Sequence, residues 1–172
     1  MTSRKLLVGI LLATILGQGV ILIGMVVKAA MPLWVGQSVP VETVPVDPRS
    51  LLRGNYARLN YAFSRLPKKL FDGATPKRPG EVVYVVLQRG DNGLYEASAA
   101  SLTRPDSGVF LRGRVTRAYS PYRIRYGIEA WFAPKVAALA LEKDLADGGI
   151  AELRVTSDGQ AAIESVRGRG TR

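Results

Sequence analysis

The stretch Glu81–Ala99, EVVYVVLQRGDNGLYEASA, decides the fold class of this chain. Glu81 to Gln88 is a nearly continuous apolar run of strand length, and Leu94 to Ala99 is a second short run. Between them stands Gly90-Asp91-Asn92-Gly93, a cluster of residues that favour tight turns. The pattern predicts a β-hairpin and therefore a domain built on a sheet.

Segments on both sides of this hairpin also read as strands. The predicted strands are 55–63, 109–118, 124–132, 150–156 and 161–166. In the first of them, odd-numbered residues are predicted to face the core and even-numbered ones to face outward, because strand side chains alternate. Residues 66–80 are predicted to be an exposed loop. Residues 134–147 start with proline, are rich in Ala and Leu and end at Gly148-Gly149, which predicts a short helix. The predicted fold class is mainly β, a barrel or sandwich with one short late α-helix.

An apolar segment precedes this domain. Leu6–Val27 is an uncharged run long enough to cross the hydrocarbon core as a helix. It exceeds the length of a signal-peptide core, which favours an uncleaved anchor over a cleaved signal. Arg4 and Lys5 stand before it and only Lys28 follows closely, so the positive-inside rule places the N terminus in the cytoplasm. After the helix, residues 32–46 are predicted to be extended.

These segments predict four parts. They are a cytoplasmic N-terminal tail (1–5), a transmembrane helix (6–28), an extracytoplasmic β-rich domain (29–166) and a disordered basic tail (167–172).

The composition narrows the possible chemistry. The chain has no cysteine and no histidine, which excludes thiolate nucleophiles, disulfides and the usual proton shuttle at neutral pH. Its 24 Lys and Arg against 14 Asp and Glu give a net charge of +10. This excess favours acidic partners such as anionic lipid headgroups or nucleic acid, although a solvated basic surface is the simpler interpretation.

The residues most typical of a binding face stand in two blocks. Arg and Tyr are the types that most often dominate interface energetics. The predicted binding or structural cluster is Asp47, Arg49, Arg53, Gly54, Asn55, Tyr56 and Tyr61 from the first block, with Tyr126, Glu129 and Trp131 from the second. We expect the turn at Asp47–Arg49 and the second block to share one polar cluster.

The same two blocks carry a resemblance. Gly54-Asn55-Tyr56-Ala57-Arg58-Leu59-Asn60-Tyr61, with 46–50 before it and 126–134 after it, resembles the signature of the GDYxxLxY family of bacterial membrane-anchored proteins. The resemblance implies a one-span extracytoplasmic protein of the bacterial inner membrane, often encoded beside polytopic membrane proteins. It brings no established activity. The chain departs from the signature at Asn55, where the family has Asp, and at Lys135, where an acidic residue is usual.

Three catalytic or ligand-binding alternatives are weaker. A Ser-Lys pair would draw on Ser50 or Ser64 with Lys68 or Lys69, but a hydrated loop lysine stays protonated and is a poor base. Asp47 with Glu129 could act as a carboxylate pair, although nearby arginines make a structural ion-pair cluster the simpler interpretation.

A nucleic-acid surface is the third alternative. It would use cations interleaved with aromatics along 112–125, and an extracytoplasmic location argues against it.

The sequence therefore predicts a binding or assembly module, not an enzyme. Its expected partner is a polytopic inner-membrane protein, with membrane lipid contacted through the anchor. No catalytic residue, metal ligand, cofactor or nucleic-acid partner is expected. The alternative is an envelope enzyme acting on peptide or cell-wall material through a carboxylate or Ser-Lys pair.

Overall fold

The computed structural model describes residues 2–44, 56–132 and 148–168. It begins with helix α1, Thr2–Val35. Eleven strands follow in the described part of the chain: β1 Gln37–Val44, β2 Tyr56–Arg58, β3 Asn60–Tyr61, β4 Arg65–Leu66, β5 Val82–Arg89, β6 Tyr95–Ser101, β7 Val109–Arg117, β8 Tyr122–Arg125, β9 Ala130–Phe132, β10 Gly149–Val155 and β11 Ala161–Gly168. Short 3₁₀ turns lie at Ala62–Ser64 and Lys68–Leu70.

Nine of these strands form one mixed sheet. Its order is β11-β10-β1-β6-β5-β7-β8-β4, with β3 also paired to β1. The β1–β6 pair is parallel, and the other pairs are antiparallel. Strands β2 and β9 form a separate antiparallel pair. The mainly β prediction is confirmed. These strand pairs do not show a barrel, so the choice between a barrel and a sandwich stays a prediction.

The core lies on one face of the large sheet, because side chains alternate along each strand. Buried positions recur at every second residue in β1, β5, β7 and β10. The largest fully buried side chains include Leu66, Leu111, Ile128 and Leu153, with valines from β1, β5 and β7. Leu59, Tyr61 and Phe63 are buried while Asn60 and Ala62 are exposed, which confirms the predicted alternation at these positions.

The hairpin predicted for residues 81–99 is confirmed, and the strands predicted at 150–156 and 161–166 also pair as a hairpin. β5 and β6 pair antiparallel across a turn in which Gly93 has a positive φ of 78°. The Asn92 side chain accepts a hydrogen bond from the Leu94 amide at 2.9 Å, which closes that turn. β10 and β11 pair in the same way, and the Thr156 amide donates to the Gln160 carbonyl at 2.9 Å.

Helix α1 extends further than the sequence predicted. It contains Pro32 and ends at Val35, so the prediction of extended chain from residue 32 is wrong as far as 35. Pro32 lacks the backbone donor of one intrahelical hydrogen bond, but it lies in the last turn of the helix. The Gly36 amide continues the helical pattern by donating to the Pro32 carbonyl at 2.9 Å.

The predicted strand 124–132 is interrupted. β8 ends at Arg125 and β9 begins at Ala130, in a different sheet. Gly127 between them has φ of 89°, a conformation that ends regular strand geometry and that glycine adopts without strain. Period-two alternation persists through the turn because Ile124 and Ile128 are both buried, so the pattern alone could not reveal the break.

The C-terminal end of the chain also differs from the prediction. Arg167 and Gly168 belong to β11, where they pair with Ile150 and Gly149, so the predicted disordered tail does not begin at 167. Backbone pairing to β10 needs no apolar side chain, which is why the composition missed it. Residues 169–172 and the predicted helix at 134–147 lie outside the described residues.

The helix joins the domain through one buried glycine. Gly36 alone separates α1 from β1, and the Arg154 guanidinium donates to its carbonyl at 3.3 Å. A Cβ at this position would lie 2.3 Å from the Pro32 carbonyl oxygen and 2.9 Å from the Val155 nitrogen, both backbone atoms. The end of the helix therefore packs directly against the edge formed by β10 and β11.

Candidate functional site

Two tyrosines tie the two sequence blocks together. The Tyr61 hydroxyl donates to the Ile128 carbonyl at 2.8 Å. In the opposite direction, the Tyr126 hydroxyl donates to the Phe63 carbonyl at 2.7 Å. Each block therefore supplies a phenol that satisfies a backbone carbonyl of the other. We call these four residues the tyrosine brace.

Backbone pairing extends the contact between the blocks. The Leu59 amide donates to the Glu129 carbonyl at 2.9 Å. Beyond it, β2 and β9 pair over three residues, with Tyr56 opposite Phe132. The described part of the first block, residues 56–61, is therefore joined to the second block, whereas the polar cluster predicted for the turn at Asp47–Arg49 lies outside the described residues.

The Glu129 side chain shapes the turn that follows β8. Its carboxylate accepts the Tyr126 amide at 2.6 Å and the Gly127 amide at 3.0 Å. Hydrogen bonds from amides to a carboxylate are charge-assisted and hence among the stronger ones. Glu129 thus holds the turn that presents Tyr126 and Ile128 to the first block, and Asp47, its proposed carboxylate partner, lies outside the described residues.

The environment of the brace keeps both phenols protonated. Burial raises the pKa of the Tyr61 phenol well above its usual range, and the nearby Glu129 carboxylate raises it further. The pKa of Tyr126 is raised by the same two causes in the same order. Both tyrosines therefore remain hydrogen-bond donors throughout the physiological range.

Ring contacts complete the brace. Tyr61 and Phe63 stack with centroids 5.1 Å apart, and Phe63 meets Tyr126 edge to face at 5.4 Å. Gly113 on β7 makes room for this arrangement, because a Cβ there would lie 2.9 Å from the Tyr126 ring and 2.4 Å from the Ile124 side chain.

The family model for the GDYXXLXY protein matches residues 18–166. This chain belongs to the GDYXXLXY family. A search of the curated proteins and a search of the solved structures gave no match.

The family signature acquires a structural meaning from the brace. Leu59 and Tyr61 occupy the Leu and final Tyr of the signature, and both are buried. Their contacts are to the second block and not to solvent, so this part of the signature organises the domain. The expected membership in the family is confirmed, whereas the family match carries no activity.

The other predicted site residues have different positions. Trp131 is half-buried on β9 and packs against the core. Tyr56 is described through its backbone in β2. Five members of the predicted cluster lie outside the described residues: Asp47, Arg49, Arg53, Gly54 and Asn55. The binding role of the cluster stays a prediction.

The Ser-Lys alternative can be examined at Ser64. Its hydroxyl is buried and has no hydrogen-bond partner. Neither Lys68 nor Lys69 therefore lies within hydrogen-bond reach of it. Ser50, the other serine considered, falls outside the described part of the chain.

A second feature is an array of arginines on the exposed side of β4, β7 and β8. It consists of Arg65, Arg112, Arg114, Arg123 and Arg125, and we call it the arginine face. Arg114 is directly opposite Arg125 in the β7–β8 pair, and Arg65 is directly opposite Arg123 in the β4–β8 pair. None of these three strands contains an Asp or Glu. In the sequence, part of this array suggests only a nucleic-acid surface, because the sequence does not give the pairing register.

A cavity at the arginine face adjoins a second cavity, which none of the five arginines lines. The first, about 330 Å³, is lined on one side by Arg112, Arg114 and Arg125. The second, about 370 Å³, is lined by apolar residues that include Trp131, Ile163 and Ala29 of helix α1. Gly127 and Ala161 line both cavities, so the cationic space and the apolar space are neighbours.

The like-charged pair gives an unusual stability prediction. Replacing Arg125 by glutamine should raise the free energy of unfolding by about 0.2–1 kcal/mol, because like charges directly opposite each other in a sheet are destabilising. Denaturant unfolding at low salt measures the effect, and the gain should shrink at high salt.

Arg112→Gln is the matched control for this prediction. It removes the same charge, but its opposite neighbour is Tyr84. The gain in the free energy of unfolding should therefore be smaller for Arg112→Gln than for Arg125→Gln. A loss of stability for Arg125→Gln at low salt would contradict the explanation.

Proposed function

We propose that this chain is a single-pass, membrane-anchored binding or assembly module whose β-rich domain acts outside the cytoplasm and whose protein partner is a polytopic membrane protein. The proposal assigns no reaction to the domain. It is supported mainly by the surface of helix α1.

Helix α1 is long and apolar enough, from Arg4 to Val35, to cross a membrane. The large apolar side chains of its Leu6–Val27 run do not pack against the domain: Leu6, Leu16 and Ile23 are 65%, 70% and 66% exposed. Such a surface is stable only when acyl chains or other apolar helices cover it. A bilayer provides this cover.

The helix also carries a narrow side suited to contact with another membrane helix. Gly9, Ala13, Gly17 and Gly24 lie within one sector at 100° per residue. A Cβ added at the three glycines would meet nothing within 4 Å. Small residues at this spacing let two membrane helices approach closely, which supports a polytopic partner.

Co-purification of the full chain from detergent tests the partner. Gly17→Leu fills the small-residue side and should reduce recovery of the partner at least several-fold. Gly19→Leu adds the same apolar bulk on a different side of the helix and should leave recovery unchanged. Equal recovery with both variants would remove the helix as the contact.

The proposed orientation has a separate test. Arg4 and Lys5 precede the apolar run, which favours a cytoplasmic N terminus. A C-terminal reporter that works only outside the cytoplasm should therefore be active. A well-expressed but silent reporter would reverse the orientation.

A further inference from the structure

The arginine face has a high density of positive charge, and its arginines have few hydrogen-bond or ion-pair partners among the described residues. Among the residues that the structure describes, the side chains of Arg112 and Arg125 have no hydrogen-bond or ion-pair partner, and Arg114 donates one bond, to the Gly80 carbonyl at 3.1 Å. Most of their guanidinium donors are free. Guanidinium groups bind phosphate oxygens through paired, charge-assisted hydrogen bonds.

The neighbouring cavity, whose lining residues have apolar side chains beside exposed backbone, extends the site towards the helix. Its wall includes Trp131 and Ile163, and Ala29 closes it on the side of α1. A small inorganic anion would leave this apolar wall uncovered. A ligand with a phosphate at one end and a hydrocarbon part at the other would contact both cavities.

The level of this groove relative to a bilayer follows from the length of the helix. About 20 helical residues cross the hydrocarbon core, so a span that begins at Leu6 ends near Met25. At 1.5 Å per residue, Ala29 lies roughly 6 Å further along, within the polar layer where lipid phosphates reside. Lys28, the first charge after the apolar run, stands at the same level.

We propose that the two cavities form one groove for an anionic phospholipid of the membrane leaflet on the side of the β-rich domain. The phosphate lies against Arg112, Arg114 and Arg125, and the adjoining glycerol part of the lipid lies beside Trp131 and Ala29, from where the acyl chains enter the bilayer. This lipid site goes beyond the proposed protein partner and does not require it.

The two tryptophans of the chain provide a direct assay. Trp34→Phe leaves Trp131, in the apolar wall, as the only indole. Phosphatidylglycerol brominated in its acyl chains is added to the full chain in detergent, because bromine quenches indole fluorescence on contact. We expect saturable quenching.

The arginines are tested in the same Trp34→Phe background. Arg112→Gln with Arg125→Gln should weaken the apparent affinity at least ten-fold, because two charge-assisted contacts are lost. The control pair, Lys69→Gln with Arg89→Gln, removes the same charge elsewhere and should bind like the parent. Arg89 is a suitable control because it lies at the other end of β5, seven residues from Val82, which is opposite Arg114.

Three results would overturn the lipid site. The first is equal saturable quenching by brominated phosphatidylcholine, which shares the phosphate but has no net charge. The second is quenching that the arginine pair does not change. The third is full displacement of the lipid by millimolar inorganic phosphate, which would indicate a site for small anions. Gly17→Leu, the variant that tests the protein partner, should bind the lipid normally, so the two proposals fail separately.

Discussion

Gly113→Ala is expected to lower the free energy of unfolding by about 2–3 kcal/mol, in the upper part of the range for overpacked cores. The added Cβ would lie 2.4 Å from the Ile124 Cγ2 and 2.9 Å from the Tyr126 ring. Both neighbours belong to the packed interior, and Tyr126 is further held by the brace. Denaturant unfolding of the full chain in detergent, followed by tryptophan fluorescence, measures the loss.

A double-mutant cycle identifies the cause. Ile124→Ala alone leaves a cavity, but in the Gly113→Ala background it removes the clashing methyl group. The losses in the free energy of unfolding of the two single variants should therefore sum to clearly more than the loss of the double variant. Thr116→Ala on the exposed side of β7 is the control and should change stability little. Strictly additive losses would show that Ile124 is not the obstacle.

The second large effect is expected at alkaline pH. The pKa values of Tyr61 and Tyr126 are raised in the folded state. Their contribution to stability is therefore complete below the unfolded pKa, near 10, and is lost progressively as the pH rises above that value towards the folded pKa. Together they should make the free energy of unfolding fall as the pH rises above 10, by up to about 3 kcal/mol per pH unit.

Phenylalanine variants separate the two contributions. Tyr61→Phe and Tyr126→Phe should each reduce the alkaline slope by about 1.4 kcal/mol per pH unit. At pH 7 each should cost about 1–3 kcal/mol, because a carbonyl of the opposite block loses its donor. Tyr119→Phe, at an exposed side chain, should keep the parental slope. If both brace variants also keep the parental slope, the two tyrosines do not cause the alkaline loss of stability.

The parts of the fold that the sequence predicted are those written in local patterns. The β5–β6 hairpin rests on a turn cluster between two apolar runs, and the helix rests on an uncharged run of sufficient length. The burial of Leu59, Tyr61 and Phe63 follows from alternation alone. Each signal is complete within about twenty residues, so no knowledge of the tertiary structure is needed.

The parts that were missed depend on distant partners. Tyr61 and the carbonyl that it binds are separated by 67 residues, and the sequence contains many other carbonyls that could accept the same hydrogen bond. Glu129 holds the turn at Gly127. In the sequence, residues 124–132 alternate in the way expected of one continuous strand. The arginine face requires the register that places Arg114 opposite Arg125. In sequence these are only scattered cations.

The connection between α1 and β1 through Gly36 limits how the helix can move relative to the β-rich domain. Gly36 is enclosed by the backbone of Pro32 and of β10, and the Arg154 side chain binds its carbonyl, so rotation of the chain at this residue is restricted. The helix and the β-rich domain therefore turn together. In the membrane-anchored arrangement that we propose, a partner that tilts or rotates the helix would reorient the arginine face relative to the lipid phosphates. An event within the membrane would then reach the domain without any change in its internal structure.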